Sequence, residues 1–313
     1  MCMRSCFLMS ILFLFAAGCT KSFNIDLGKS KQLYVIDGRI SNLQGPYHIR
    51  ITKGANSFLD PNLSAGVDVA EAVTGARVII TDDVGTTDTL RTPDQSDPRY
   101  DPAFSADRGY YVTTKITGIP GHTYHLRALI GSETFEASAY MPANVPAIDS
   151  VVLKKDLVAD PSGLLGDVAF AYFKEPQDEN NYYALQLNAI NDSLYDRAHW
   201  MYGPTWIFPF YIFDDKTLPP YVNGMEVLAL IGGVIRDEHA GYKPNWIIPY
   251  DPVQVRLSAL TRETYEYLNA LEKQFLDGGG VYKPTPASAV GNISGGALGL
   301  FWATQISSKV VLR

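Results

Sequence analysis

Chemistry needs nucleophiles, proton carriers or metal ligands at set spacings, and this 313-residue chain offers few of them. Its five histidines are His48, His122, His125, His199 and His239. His122 and His125 stand three apart in a turn that leads into a strand, a spacing that sends their side chains to opposite faces rather than onto one metal ion. Asp237-Glu238-His239 lacks the helical His-Glu-x-x-His spacing of a zinc protease. In Gly291-Asn292-Ile293-Ser294-Gly295 the serine falls one place beyond the position a nucleophile elbow requires. No Gly-x-Gly-x-x-Gly follows a strand and no Walker-type Gly-x-x-x-x-Gly-Lys-Ser/Thr run is present, which removes the usual phosphate cradles. Asp94, Asp97, Asp101 and Asp107 lie at irregular intervals in a proline-broken stretch, the pattern of a solvated loop rather than a calcium loop. Carboxylates are plentiful, but no local pattern selects the pair a glycosidase needs. The expectation is therefore no catalytic residue, no metal and no cofactor.

The three cysteines, Cys2, Cys6 and Cys19, all fall in the first nineteen positions, so the body of the chain has no thiol chemistry and no disulfide framework. They sit in an address. Arg4 precedes an apolar run, Cys6 to Ala17, of signal-peptide length and too short to span a bilayer. The run ends in Ala16-Ala17-Gly18-Cys19, which resembles the lipobox of bacterial lipoproteins, although Ala16 stands where Leu, Val or Ile is commoner. That resemblance implies cleavage before Cys19 and acylation of its thiol, with palmitate among the chains. The expected organisation is a signal peptide at 1–18, a lipidated tether at 19–31 and a body beyond it. Several acyl chains on one cysteine anchor a protein stably, where one alone binds a membrane marginally.

The formal net charge of −7 excludes a protein that grips nucleic acid by neutralising phosphates. The aromatic residues carry more information. Three of the four tryptophans lie between positions 197 and 250, interleaved with Pro204, Pro209, Pro219, Pro220, Pro244 and Pro249. The prolines discourage a continuous helix or long central strands, so this stretch reads as a set of ordered loops. Its rings either pack over the end of a sandwich or line a recognition surface for a sugar, a peptide or a protein. The candidate surface residues are Trp200, Trp206, Phe210, Tyr211, Trp246 and Tyr250.

Short strands must position these residues. Tyr47, Ile49 and Ile51 alternate with His48, Arg50 and Thr52, and Tyr124, Leu126, Ala128 and Ile130 alternate with His125, Arg127 and Leu129. Turn signals such as Asp82-Asp83-Val84-Gly85 and Pro120-Gly121 separate the runs. The fold class is mainly β. An N-terminal sandwich is expected over 32–142, where the run Ile119 to Leu126 resembles the tyrosine-capped corner of immunoglobulin-like and fibronectin-like modules. A larger β-rich domain is expected over 147–313, with strands near 148–153, 167–173, 182–188 and 253–257. It includes one amphipathic helix, Thr261 to Leu276, capped by Thr261 and striped by Tyr265, Leu268, Leu271 and Phe275.

The order of features resembles the uncharacterised lipoprotein family of Bacteroidetes catalogued as domain of unknown function 4249. The resemblance is carried by Val35-Ile36-Asp37-Gly38, the Pro-Gly-x-x-Tyr-x-Leu corner, Met141-Pro142, Asn181-Tyr182-Tyr183, the Tyr265 to Leu271 helix and, most specifically, Asn292-Ile-Ser-Gly-Gly-Ala-Leu-Gly-Leu-Phe301. It implies an outer-membrane lipoprotein working beside a TonB-dependent transporter, on either the periplasmic or the extracellular face, and it brings no catalytic residues. The leading expectation is a non-enzymatic binding or accessory protein anchored to the membrane through Cys19. A stand-alone adhesin for glycans or peptides comes second, and a hydrolase with an unrecognised carboxylate pair third.

Overall fold

Alternation decides where each strand points. In β1 (Tyr34–Ser41), Ile36 and Ile40 are fully buried on one side while Asp37 and Arg39 lie on the other. The computed structural model describes residues 32–54, 71–158, 165–177, 179–189, 210–234, 253–276 and 289–311. Cys19, the tether, Trp200, Trp206, Trp246 and Tyr250 lie outside the described residues.

Among the described residues the chain is mainly β. After β1 come β2 (His48–Lys53), β3 (Arg77–Asp82), β4 (Thr87–Thr89), β5 (Tyr110–Val112), β6 (Thr123–Ile130) and β7 (Glu133–Tyr140). The 142–147 linker leads to β8 (Ile148–Val158), β9 (Leu165–Lys174), β10 (Tyr182–Ala189), β11 (Phe210–Asp214), β12 (Tyr221–Val234) and β13 (Val253–Leu260). Helix α1 (Arg262–Leu276) and β14 (Phe301–Val311) complete the order. Three sheets result, ordered β11-β10-β13-β14-β1-β2-β5, β12-β9-β8 and β4-β3-β6-β7.

The seven-stranded sheet is a spine shared by both halves of the chain. Its joint is β14, whose first residues pair parallel with β1 (Arg39 opposite Trp302) and whose later residues pair antiparallel with β13 (Leu257 opposite Ser307). The two small sheets pack against one face of this spine. One core joins Val78 and Ile80 of β3, Tyr124 and Leu126 of β6 and Phe135 of β7 to Ile36, Ile49, Tyr111, Phe301 and Ala303 of the spine. A second joins Ile148, Ala169, Phe173 and Val222 of the three-stranded sheet to Tyr183, Leu185, Phe213, Val255 and Leu257. Segment 147–313 is therefore not self-contained: its last strand completes the core of the segment before the linker. Residues from Gln32 onward form one compact unit.

Helix α1 covers the opposite face of the spine through Leu268, with Tyr265 and Leu271 beside it, against Ala184, Leu260, Leu300 and Trp302. Thr261 caps it, its hydroxyl accepting the Thr264 N–H at 3.2 Å. The tyrosine corner forms as the sequence implied: Tyr124 is fully buried, and its hydroxyl accepts the Ile119 N–H at 2.6 Å.

One expectation needs correction. The stretch 197–250 is not loop throughout, since 210–214 and 221–234 are strands. Pro219-Pro220 stand immediately before β12 rather than inside it, where a missing N–H and a fixed φ remove no ladder bond.

Candidate functional site

Of the six aromatic residues proposed as a surface, Phe210 and Tyr211 are in the described residues, both on β11 at the end of the spine. Tyr211 pairs with Leu185, is 40% exposed, and stacks on Phe213 with ring centroids 5.3 Å apart. Phe213 is buried and lies 5.5 Å from the buried Tyr183 ring. Tyr211 is thus the outermost ring of a short ladder rooted in the second core, a rigid apolar face with a hydroxyl at its rim. Trp200, Trp206, Trp246 and Tyr250 are not placed.

A second cluster lies on the helix-bearing face of the spine, over β1, β2 and β5. The pairing register aligns Asp37, Arg50 and Tyr110 along one rung, and the Leu300 N–H donates to the Asp37 carboxylate at 3.3 Å. Two residues on, Arg39 pairs with Trp302 and His48 with Val112. The Arg39 guanidinium sits 5.5 Å from the Trp302 ring centre, and that of Arg50 5.5 Å from the Tyr110 ring. His48 stacks on Phe104 at 4.1 Å, with Tyr110 edge-on to both. The Arg50 side chain also donates to the Arg108 carbonyl at 3.1 Å, which holds the short helical turn Ala106–Arg108 over the sheet. The cluster lies over β1 and β2, between Trp302, which packs with Leu268 of α1, and the 102–108 turns. At its edge His48 and Phe104 line a small, open pocket with Arg91, Asp97, Arg99 and Tyr100.

Burial sets the electrostatics of this cluster. It pushes the Asp37 carboxyl up to about 6, against the opposing pull of the Leu300 N–H and of Arg50. Burial pushes His48 down to about 4, with Arg39 acting in the same sense and Asp101 against it. Burial also raises Tyr267 of α1, and Asp37 adds to that shift. The site therefore combines a neutral imidazole, an acid that titrates near neutrality and two guanidiniums seated on rings. A guanidinium stacked in this way presents N–H groups in its own plane, a geometry suited to a carboxylate, a phosphate or a planar polar group. The sequence signal for the cluster was the alternation His48, Arg50, Thr52 opposite Asp37, Arg39. Its significance was missed because only the register shows that these residues share one face.

The other sequence features are occupied structurally. His122 bonds Asp83 at 2.7 Å and His125 bonds Ser138 at 2.8 Å, so the pair does not share a ligand. In the Asp-rich stretch, Asp97 pairs with Arg99 and Arg91, and Asp94 accepts the Ser96 N–H and hydroxyl. Among the described residues no three His, Cys, Asp or Glu side chains are grouped to hold a metal. Ser294, considered as a nucleophile, instead accepts the Glu136 N–H at 2.8 Å, while its own N–H donates to the Glu136 carbonyl. Asn292 donates to the carbonyls of Ser138 and Phe301 and accepts the Phe301 N–H. This motif is a staple between the exposed side of β7 and the start of β14.

No curated protein matches the chain. A solved structure titled "Crystal structure of tetra-tandem repeat in extending region of large adhesion protein" is similar over 73% of this chain and 46% of its own length, at 11% identity and a TM-score of 0.17. The chain thus spans about half the length of that structure, and a likeness of this size supports no argument about fold or role. Residues 20–310, nearly the whole chain, match the family described as Domain of unknown function (DUF4249), and the protein is a member of that family.

Proposed function

We propose that the protein is a non-enzymatic binding or accessory component of the bacterial outer membrane, lipid-anchored at Cys19 and working beside a TonB-dependent transporter. The observation that carries the binding half of this reading is the half-buried polar and aromatic cluster on the helix-bearing face of the spine, where Arg39 lies over Trp302, Arg50 over Tyr110 and His48 over Phe104 beside a small open pocket. Such a surface gives contact area at low entropic cost together with directional donors, the composition favoured at recognition sites. The membrane half rests on the Ala16-Ala17-Gly18-Cys19 sequence after a short apolar run. Among the described residues no helix is long and apolar enough to cross a membrane.

The test is lipidation with a matched surface variant. Cells expressing the wild-type protein are expected to incorporate labelled palmitate into it and to place it in the detergent phase on Triton X-114 partitioning. Cys19→Ser is expected to lose both properties. Palmitate incorporation that survives Cys19→Ser contradicts the anchor. A second reading, a surface adhesin acting alone, draws on the exposed Tyr211 ladder; glycan or peptide binding lost on Tyr211→Ala but retained in Arg39→Gln would favour it.

A further inference from the structure

Glu175 follows β9 directly and is only 1% exposed. Its Oε1 accepts the Tyr183 hydroxyl at 2.9 Å and the Asn181 amide at 3.3 Å, while among the described residues no donor reaches Oε2. The charged groups acting on it are Asp215, from the turn joining β11 and β12, and Glu179, from the turn leading into β10. These turns close around it. Glu175 N–H donates to the Pro220 carbonyl at 2.9 Å, Asn181 N–H to the Asp215 carboxylate at 2.7 Å, and Asp215 N–H to the Asn181 carbonyl at 3.1 Å.

A carboxylate sealed from water with one oxygen undonated is a buried charge with incomplete compensation, and two further acids nearby make it costlier. The neutral acid leaves only a hydroxyl in the same place, which costs less. We propose that Glu175 is held as a neutral acid and acts as a proton-operated latch for this end of the spine. It stays closed while the proton is on Oε2, and the contacts of Glu175 and Asn181 with Asp215 and Pro220 open to water when the proton leaves to solvent as the pH rises. Burial is the largest cause raising this acid, the Tyr183 and Asn181 donors oppose it, and Asp215 and Glu179 reinforce it. Burial first, and then the neighbouring acids, hold the Tyr183 phenol protonated, so it remains the donor across the working range. This device is independent of the Arg39–Arg50–His48 cluster and of the anchor.

Hydrogen–deuterium exchange of the detergent-purified full chain tests it, comparing wild type with Glu175→Gln, which keeps the shape and stays neutral. After correction for intrinsic rates, wild-type amides in 174–177, 179–183 and 211–220 are expected to lose protection as the pH rises above the ordinary carboxylate range, by up to tenfold per pH unit, to a plateau. Those of the Gln variant are expected to hold, and amides of β1 and β6 to agree in both proteins. Equal protection in the two proteins at every pH overturns the latch. So does a wild-type loss spread evenly over the chain. If millimolar calcium chloride restores wild-type protection at about pH 8, a cation rather than a proton is the occupant and the proposal fails.

Discussion

Asp37 and His48 share one face of the spine, yet burial moves them in opposite senses, and this has a measurable consequence. Asp37 has a folded value of about 6 above its ordinary 3.8, so its contribution to stability is complete below pH 3.8 and is lost as the pH rises through about 6. His48 has a folded value of about 4 below its ordinary 6.5, so its contribution is complete above pH 6.5 and is lost as the pH falls through about 4. Across the interval between, the two slopes oppose each other. Asp37→Asn is therefore expected to gain stability relative to wild type steadily from about pH 4 to 6 and then level off, whereas His48→Gln gains as the pH falls over the same range. Urea midpoints measured across pH check both, and parallel curves contradict them. A third buried residue sets a larger cost. Asp88 is fully buried and accepts four bonds, from the N–H groups of Thr114, Lys115 and Ile116 and from the Thr114 hydroxyl, at 2.6 to 3.0 Å. Burial pushes this carboxyl up, but the four donors outweigh it and hold it below the usual carboxylate range. Asp88→Ala leaves those donors unpaired and is expected to lower the unfolding free energy by roughly 3 kcal/mol, read by urea denaturation at pH 7.

At the scale of elements, the Asn292 to Phe301 motif acts as a strap rather than an active site. Gly299 adopts φ +104, and a Cβ there would lie 2.2 Å from the Ile36 carbonyl oxygen, because the strap runs directly against β1. Gly296 has φ +83, but a Cβ there would meet nothing within 4 Å. Gly299→Ala is thus expected to lower the melting temperature severely, while Gly296→Ala carries only the conformational cost of about 1 kcal/mol. Similar losses in the two variants, measured by calorimetry, would refute the close-approach argument. Much at this scale was legible in the sequence. The period-two runs placed β2, β6 and β13, the strand group at 148–188 placed β8, β9 and β10, and the Tyr124 corner and the Thr261 cap carried their own geometry. What the sequence hid was non-local. Nothing in Phe301 to Val311 signals a parallel partner in β1 more than two hundred residues away. The prolines at 219 and 220 read as breaks within a loop, whereas they mark the entry to β12. Of the candidate site, the aromatic composition was visible at Tyr211, but the Arg39–Arg50–His48 cluster was not, because Asp37 and Arg39 meet His48 and Arg50 only through register.

At the scale of the molecule, the spine makes the halves interdependent, and β14 is the single strand that joins them. Phe301 and Ala303 enter the first core while later residues of β14 pair with β13. A chain ending before Phe301 is expected to lose cooperative unfolding in both halves, visible as exchange of core amides in β6 and β10 alike, rather than leaving an intact N-terminal sandwich. A spine of this kind suits a protein that presents surfaces at two places, the Arg39–Arg50–His48 cluster and the Tyr211 end, from the body we propose to be lipid-anchored. The most direct test of that account is affinity purification of the wild-type protein from native outer membranes in mild detergent, with Arg39→Gln and Tyr211→Ala run in parallel. The account predicts that the wild type brings down a TonB-dependent barrel in near-stoichiometric amount and that Arg39→Gln loses it while remaining folded and membrane-anchored. Wild-type protein that returns alone from every detergent, in cells where it is fully lipidated, contradicts the account.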